Sequence, residues 1–345
     1  MRLTASSPVE EEIEGIRVIR TPDVLSGFIT ETGFRDVSEV FAFTRWAFDR
    51  LNSDRLPDVI EANHCPIFPA LGSWLAKTAR GRSLCVTFHE CWHDHWHNYV
   101  PNRAYAPLGM ILEKVTTWVP DVAVSVSELT ARRLVACLGM RSDTIFVIPN
   151  GVDLERVRKA EVDRNSHEIV YVGRLNSHKK VDWLIEAFAR LKKGIPDAKL
   201  TIAGDGPEGP SYRFLAARIG VSDVEFTGTI EDDEVFALLR RAGVYVLPSI
   251  REGQSITTLE AMAAGTPQVV VEADGNGAAD LVRSGVTGIV TEPNSGAIAD
   301  GVTKIMSDDE LWLRLHKNSL SFVRRYTWDA ASAQYLQVYN DLLSS

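Results

Sequence analysis

The sequence predicts an α/β protein built as two doubly wound domains in series, each a parallel sheet covered by helices on both faces. Short, nearly continuous Val/Ile-rich runs alternate with segments whose apolar residues recur at helical spacing. The chain has 345 residues, enough for two cores. The polar segment "DLERVRKAEVDRNSHE" (153–168) has no strand pattern and reads as the linker.

In chain order, "GIRVIR" (15–20) reads as a strand, and "VSEVFAFTRWAFDRL" (37–51) as a helix with Ser38 as its N-cap. "PDVIEAN" (57–63) is a strand and "ALGSWLAKTA" (70–79) a helix. "SLCVTFH" (83–89), "DVAVSVS" (121–127) and "TIFVIPN" (144–150) are strands, and "ELTARRLVACLG" is a helix that begins after Ser127 and stops at Gly139. The second half alternates more cleanly. Strands are expected at 168–175, 198–206 and 224–230, and helices at 181–193, 211–220 and 232–242.

Composition narrows the function classes. A hydrophobic fraction of 45% and a charged fraction of 24% are ordinary for a globular protein. Net charge is −9 with no cluster of Lys and Arg, which argues against nucleic acid as a partner. Cys65, Cys85, Cys91 and Cys137 are irregularly spaced, as expected of reduced thiols in a cytoplasmic setting. No apolar run approaches the roughly 20 residues of a membrane span, and the acidic start "MRLTASSPVEEEIEG" has no signal-peptide core. Peripheral contact at the inner face of a membrane needs only a surface patch and stays open.

In doubly wound sheets, ligands sit beyond the carboxyl ends of the strands. Those ends carry "GRLNSHKK", "GDGPE", "GTI" and "REGQSITTLE". Arg174 and Lys179 would bring two cations to one cleft, and Gly204, Gly206 and Gly228 would let a ligand approach backbone. The loop 253–256 opens a helix whose free N–H groups favour an anion. Two cations and a helix start suit a pyrophosphate. Glu260, one turn into that helix, could accept two ribose hydroxyls, and Glu252 could reach the group beyond the phosphates. Taken singly, either acid is more often a solvated surface charge; together with the other loops they point to one site. A nicotinamide-dependent dehydrogenase is the weaker alternative. Gly204-x-Gly206-x-x-Gly209 has the right spacing, but the acid expected downstream is ambiguous between Asp223 and Glu225, and Pro207 and Pro210 should disturb the helix start.

The second half resembles the donor-binding domain of the family 4 glycosyltransferases. The resemblance is carried by "IPNGVD" (148–153), "VGRLNSHKKVDWLIEAF" (172–188), "TIAGDGPE" (201–208), the Glu-x7-Glu block "EGQSITTLEAMAAGTPQVV" (252–270) and "SGVTGIVTEP" (284–293). The first half matches more weakly through "PDVIEANH", "TFHE" and "AVSVSELT". The resemblance implies the GT-B fold, two Rossmann-like domains facing a cleft. Residues 1–160 would form the acceptor-side domain, 161–325 the nucleotide-sugar domain, and 326–345 a helix crossing back to the first. It also implies retaining transfer of a sugar from a nucleotide diphosphate donor to a lipid, polysaccharide or other glycan, with no cofactor and no metal. Arg174 and Lys179 would neutralise the leaving diphosphate. Glu252 would hold the donor sugar, Glu260 the ribose, and His89 would lie beside the sugar. Gly204, Asp205, Gly206, Pro207, Gly228, Gln254, Ser255 and Ile256 would line the donor.

Three departures stand out. Lys180 replaces the family's usual glycine after the lysine. Gln254-Ser255 replaces an aromatic-glycine pair, which leaves that loop's geometry open, although the Ser255 hydroxyl could donate to a phosphate. The family also opens with a strand, a Gly-Gly loop and a helix, whereas "MRLTASSP" looks like the end of its second strand. The expectation is a start assigned too far downstream. A naturally shortened protein that binds nucleotide sugars with little or no transfer is the alternative.

"HECWHDHWHNYVPNR" (89–103) is the other unusual segment. Trp92, Trp96 and Tyr99 suit a lining for a sugar acceptor, which is the leading reading. A plain surface loop comes next, and last a metal site made of alternating His93, His95 and His97 on extended chain.

Overall fold

The computed structural model describes residues 10–20, 44–51, 57–64, 68–99, 103–159 and 164–344. Ser38, Cys65, "MRLTASSP" and the middle of the segment read as a linker lie outside them. The chain forms two compact units. The first comprises the described residues up to Val124, with Leu134–Phe146 and the residues from Tyr339 on; the second comprises Ser125–Arg133 and Val147–Val338.

In the first unit, β1 (Glu10–Ile13) and β2 (Ile16–Ile19) pair as an antiparallel hairpin. Its turn, Glu14-Gly15, takes positive φ at both residues, as a tight hairpin requires. Residues 44–51 are helical (α1). β3 (Val59–His64), β4 (Ser83–Phe88), β5 (Val122–Ser125) and β6 (Ile145–Val147) lie side by side in that order. β3 and β4 run parallel with Ile60 beside Leu84 and Ala62 beside Val86, and these side chains enter the core with Phe88 and Leu134. The helices are α2 (Phe68–Arg80), α3 (Trp96–Tyr99), α4 (Ala106–Thr116) and the second half of α5 (Glu128–Leu138), whose residues up to Arg133 are counted with the second unit. Ser127 Oγ caps α5 by accepting from the Thr130 N–H at 3.1 Å, and Gly139 ends it in a left-handed conformation. Pro107 in the first turn of α4 is compatible with a helix start, but with Gly109 it hides the helix from pattern reading.

The segment read as a linker is structured at both ends. α6 (Leu154–Lys159) begins after Asp153, whose Oδ1 accepts from the Arg156 N–H at 2.9 Å, and β7 (Asn165–Val172) starts before the segment is over. The second unit then runs α7 (Val181–Leu191), β8 (Lys199–Ala203), α8 (Gly209–Ile219), β9 (Val224–Gly228), α9 (Asp232–Arg241) and β10 (Ala242–Leu247). It continues with β11 (Arg251–Glu252), α10 (Ile256–Ala264), β12 (Gln268–Val271), β13 (Gly275–Asn276), α11 (Gly277–Leu281) and β14 (Gly288–Thr291). α12 (Ser295–Met306), α13 (Asp309–Phe322) and α14 (Trp328–Ser344) complete the chain. Near the end of α14, the Tyr339 hydroxyl donates to the Glu61 carboxylate of β3.

Six strands form one parallel sheet in the order β14-β12-β10-β7-β8-β9. From β7 the chain winds outward through β8 and β9. It then returns to the other side of β7 and winds outward again through β10, β12 and β14. The winding reverses between β7 and β10, and the loops that leave those two strands diverge there. This is where an open α/β sheet leaves a crevice. Ile169, Val170, Val244, Val246, Val269 and Val270 fill the interior on both sides of the reversal.

Candidate functional site

The loops after β7 and β10 are fastened together at the point of reversal. Ile250 N–H donates to His178 O at 3.0 Å, and Lys179 Nζ lies 2.6 Å from Glu252 Oε1. Both side chains of this ion pair are largely buried, 17% and 10% exposed. Glu252 is also held through its backbone, because β11 pairs with β13 and sets Glu252 beside Asn276. Arg174, on the same loop as Lys179, is exposed, and its guanidinium has no hydrogen-bond or ion-pair partner among the described residues. The two cations are therefore unlike: one is sequestered by an acid, the other is open.

Two of the glycines, Gly204 and Gly206, admit neighbouring backbone, whereas a Cβ on Gly228 would meet open space. Gly204 has φ +129, and a Cβ there would lie 2.0 Å from Gly173 O; a Cβ on Gly206 would lie 2.6 Å from Leu175 O. Leu175 N–H donates to Asp205 O, and Gly204 N–H to Gly228 O. The loops after β7, β8 and β9 are thus laced by main-chain bonds, which only glycine permits at such separations. Asp205 Oδ1 accepts from the Gly206 N–H at 2.7 Å, so this carboxylate also serves the loop. The lacing leaves a cavity of about 460 Å³ bounded by Gly173, Arg174, Gly204, Gly206, Thr229 and Ile230. Pro207 and Pro210 do not disturb α8: Pro210 occupies its first turn, where proline's missing N–H costs nothing.

The Gln-Ser pair is well accommodated. Ser255 adopts φ −84, a conformation open to any residue, and its Oγ accepts from the Thr258 N–H at 3.2 Å as the N-cap of α10. Gln254 Oε1 accepts from both the backbone N–H and the Nδ2–H of Asn150, each at 2.7 Å. Ile256, the first residue of α10, is exposed. Lys180 takes φ +51 and ψ 40, the left-handed conformation that explains why a glycine suits this position.

Glu260 lies one turn into α10. Its carboxylate has no hydrogen-bond partner among the described residues. Burial pushes it up from the ordinary 4.5 to about 7; neighbouring Asp232 adds to the rise, and Arg156 opposes it. Arg156 is itself held by Asp232 and Asp233 at 3.2 and 2.9 Å. A largely buried acid whose lone pairs no donor fills is a group poised for a ligand.

In the first unit, His89 Nε2 lies 2.7 Å from Asn63 Oδ1, and burial holds its imidazole below the ordinary histidine range. The segment after it is not extended. His93–His95 form a 3-10 turn running into α3, so the alternating histidines lose the geometry of an extended chelate, and no three His, Cys, Asp or Glu side chains converge among the described residues. The segment is organised by Glu113 of α4, which is fully buried. Its carboxylate accepts from the N–H groups of Trp92 and His93, both at 2.7 Å, and from Trp96 Nε1 at 2.9 Å. Trp96 lies against Gly109, where a Cβ would come within 2.4 Å of the ring. This indole therefore packs the loop onto α4.

Sequence reading brought out Glu252, Glu260, Arg174 and Lys179 but missed Asn150, Arg156 and Glu113. "IPNGVD" drew attention to the stretch around Asn150 without giving its partner, 104 residues away. Nothing in the sequence marks Glu113 as buried.

Comparison with known proteins agrees with this architecture. Residues 154–321 match the family described as "Glycosyl transferases group 1" and residues 3–156 match "Glycosyltransferase Family 4". A phosphatidyl-myo-inositol mannosyltransferase of Mycobacterium leprae is 29% identical over 82% of this chain and 73% of its own length. A D-inositol 3-phosphate glycosyltransferase of Corynebacterium glutamicum is 30% identical over 59% of this chain, which spans about half (53%) of that relative. Among solved structures, a sucrose-phosphate synthase from Thermosynechococcus elongatus superposes with a TM-score of 0.81 at 21% identity, covering 99% of this chain and 87% of that one. The fold is GT-B.

Proposed function

The chain belongs to glycosyltransferase family 4, and from that premise we propose that it is a retaining enzyme that moves a sugar from a nucleotide diphosphate sugar to a glycan or lipid acceptor. The observation that carries the reading is the pairing of Lys179 with Glu252 at the β7/β10 reversal, eight residues before the unpartnered Glu260 on α10. The loop after β7 thus presents a cation for the leaving diphosphate, and the loop after β10 with α10 presents an acid for each end of the donor. Arg174, at the mouth of the neighbouring cavity, is the second cation. Charge that develops on the diphosphate as the glycosidic bond breaks is met by Arg174, Lys179 and the N–H groups that open α10. The reading assigns this task to the protein's own cations, with no metal and no cofactor. Glu260 accepts ribose hydroxyls and Glu252 those of the sugar.

To His89 we assign a place beside the donor sugar, as the family resemblance implies. The relatives named for phosphatidyl-myo-inositol and inositol phosphate support an acceptor rich in hydroxyl groups. No helix among the described residues is long and apolar enough to cross a membrane.

The test is thermal stability with UDP, GDP, ADP and their sugar conjugates. A ligand at about 100 times its Kd adds roughly 2.7 kcal/mol, enough to raise the melting point by a degree or more. A shift with one base series, absent in Glu260→Gln, is expected. A cooperatively melting protein that responds to none of them would overturn the donor assignment, and a product of inverted anomeric configuration would exclude retention.

A further inference from the structure

The amide of Gln254 is fixed. Its Oε1 accepts two hydrogen bonds, both from Asn150. A backbone N–H can only donate, so the oxygen of the Gln254 amide must face Asn150, and the planar amide then turns its NH2 group away. That NH2 has no partner among the described residues, although the side chain is half-buried. The residues around it are held independently: Glu252 by Lys179 and by the β11–β13 pairing, and Ser255 by its cap on α10. Gly277 packs so closely on this loop that a Cβ there would lie 2.3 Å from Gly253 O. Gln254 is therefore the polar side chain of a preformed loop, with its acceptor end occupied and its donor end free, between the acid assigned to the sugar and the helix start assigned to the phosphates.

We infer that Gln254 Nε2 donates to a phosphate oxygen of the nucleotide donor, and that Asn150 is the positioning residue that aims it. The inference rests on the donor reading above. A side-chain amide can accept from Asn150 at one end and donate to a ligand at the other. A hydrogen bond to a charged oxygen contributes about 1.5–3 kcal/mol, on the order of tenfold to a hundredfold in affinity.

The experiment is calorimetric titration of UDP, GDP and ADP into the full chain and four variants, each also melted without ligand. Gln254→Glu keeps an oxygen on both Asn150 donors, so it should melt at or above the parent, but it sets a carboxylate oxygen where the NH2 was. Binding of the preferred diphosphate should fall at least about tenfold. Gln254→Met should lose the Asn150 contact and the donor together, weakening binding by a similar factor. Asn150→Ala should weaken binding a few-fold in the parent and not at all in the Gln254→Met background; a merely structural role would not produce that coupling. If Gln254→Glu binds like the parent, or if Asn150→Ala weakens both backgrounds equally, the inference falls while the donor reading stands. If the parent binds no nucleoside diphosphate, both fall.

Discussion

Glu113 and Glu260 are both deeply placed carboxylates, one in each compact unit, and burial raises the pKa of both. Their surroundings are opposite. Glu113 receives three N–H donors from the segment it anchors, and these pull its pKa back down against the desolvation. Glu260 receives none among the described residues and has Asp232 as a neighbour. A buried acid whose lone pairs are filled by its own chain is a structural post. One whose lone pairs are empty stores an unmet demand that a ligand can satisfy. A raised pKa alone would have scored the two alike.

The largest expected effect tests the structural side of this contrast. Glu113→Ala leaves three N–H groups, from Trp92, His93 and Trp96, without their acceptor and opens a void under α4. The loss should be about 3–5 kcal/mol in denaturant unfolding of the first unit. Glu260→Ala should cost well under 1 kcal/mol or be stabilising, because it removes a desolvated carboxylate that no donor satisfies. Equal losses for the two would erase the distinction.

Lys179→Ala comes next and mixes the two roles. From sequence alone it should harm transfer far more than folding. The structure changes that expectation, because Glu252 would be left nearly buried without its partner. A stability loss of about 2–3 kcal/mol should accompany the loss of transfer. Adding Glu252→Gln should return most of the stability and none of the activity. A double variant as unstable as the single one would show that the pair's packing matters and its charge does not.

The pH dependence of Glu260 sharpens the ligand side. Its folded pKa, about 7, lies above the ordinary 4.5, so between those values the folded protein holds more protons than the unfolded chain. Stability contributed by this group is full below pH 4.5 and is lost as pH rises through 7, by about 2–3 kcal/mol. Donor affinity should move the other way, since the ionised form is the better acceptor of ribose hydroxyls. Melting and titration of the parent and Glu260→Gln across pH 5–8 would reveal both slopes. Parallel curves for the two proteins would remove Glu260 from either effect.

What the sequence made legible follows from range. The strands of the second unit are Val/Ile runs flanked by helices at their own periods, and Glu252 and Glu260 lie on one loop and helix, so both were readable locally. The pairing of Asn150 with Gln254, the clasp of Arg156 on Asp232 and Asp233, and the use of Glu113 by residues 17 to 21 positions away are matters of tertiary approach. No periodicity encodes them. The glycines of "GDGPE" are visible by their spacing, but only the fold shows that the crowding atoms belong to Gly173 and Leu175.

The smallest effect concerns Lys180, a non-glycine residue in a left-handed backbone conformation. A non-glycine residue in the left-handed region costs about 1–2 kcal/mol, and here the ammonium recovers part of that by lying 5.2 Å from the centre of the Trp183 ring, a contact of about 0.5–1 kcal/mol. Lys180→Gly removes the strain, gives up the ring contact and adds chain entropy to the unfolded state. The net should be a gain of about 0.5 kcal/mol with donor affinity unchanged, since Lys179 and not Lys180 holds Glu252. Lys180→Ala keeps the strained φ and loses the ring, so it should melt below the parent while Lys180→Gly melts above it. The reverse order would mean that the Trp183 contact outweighs the backbone and that lysine is held here for its side chain.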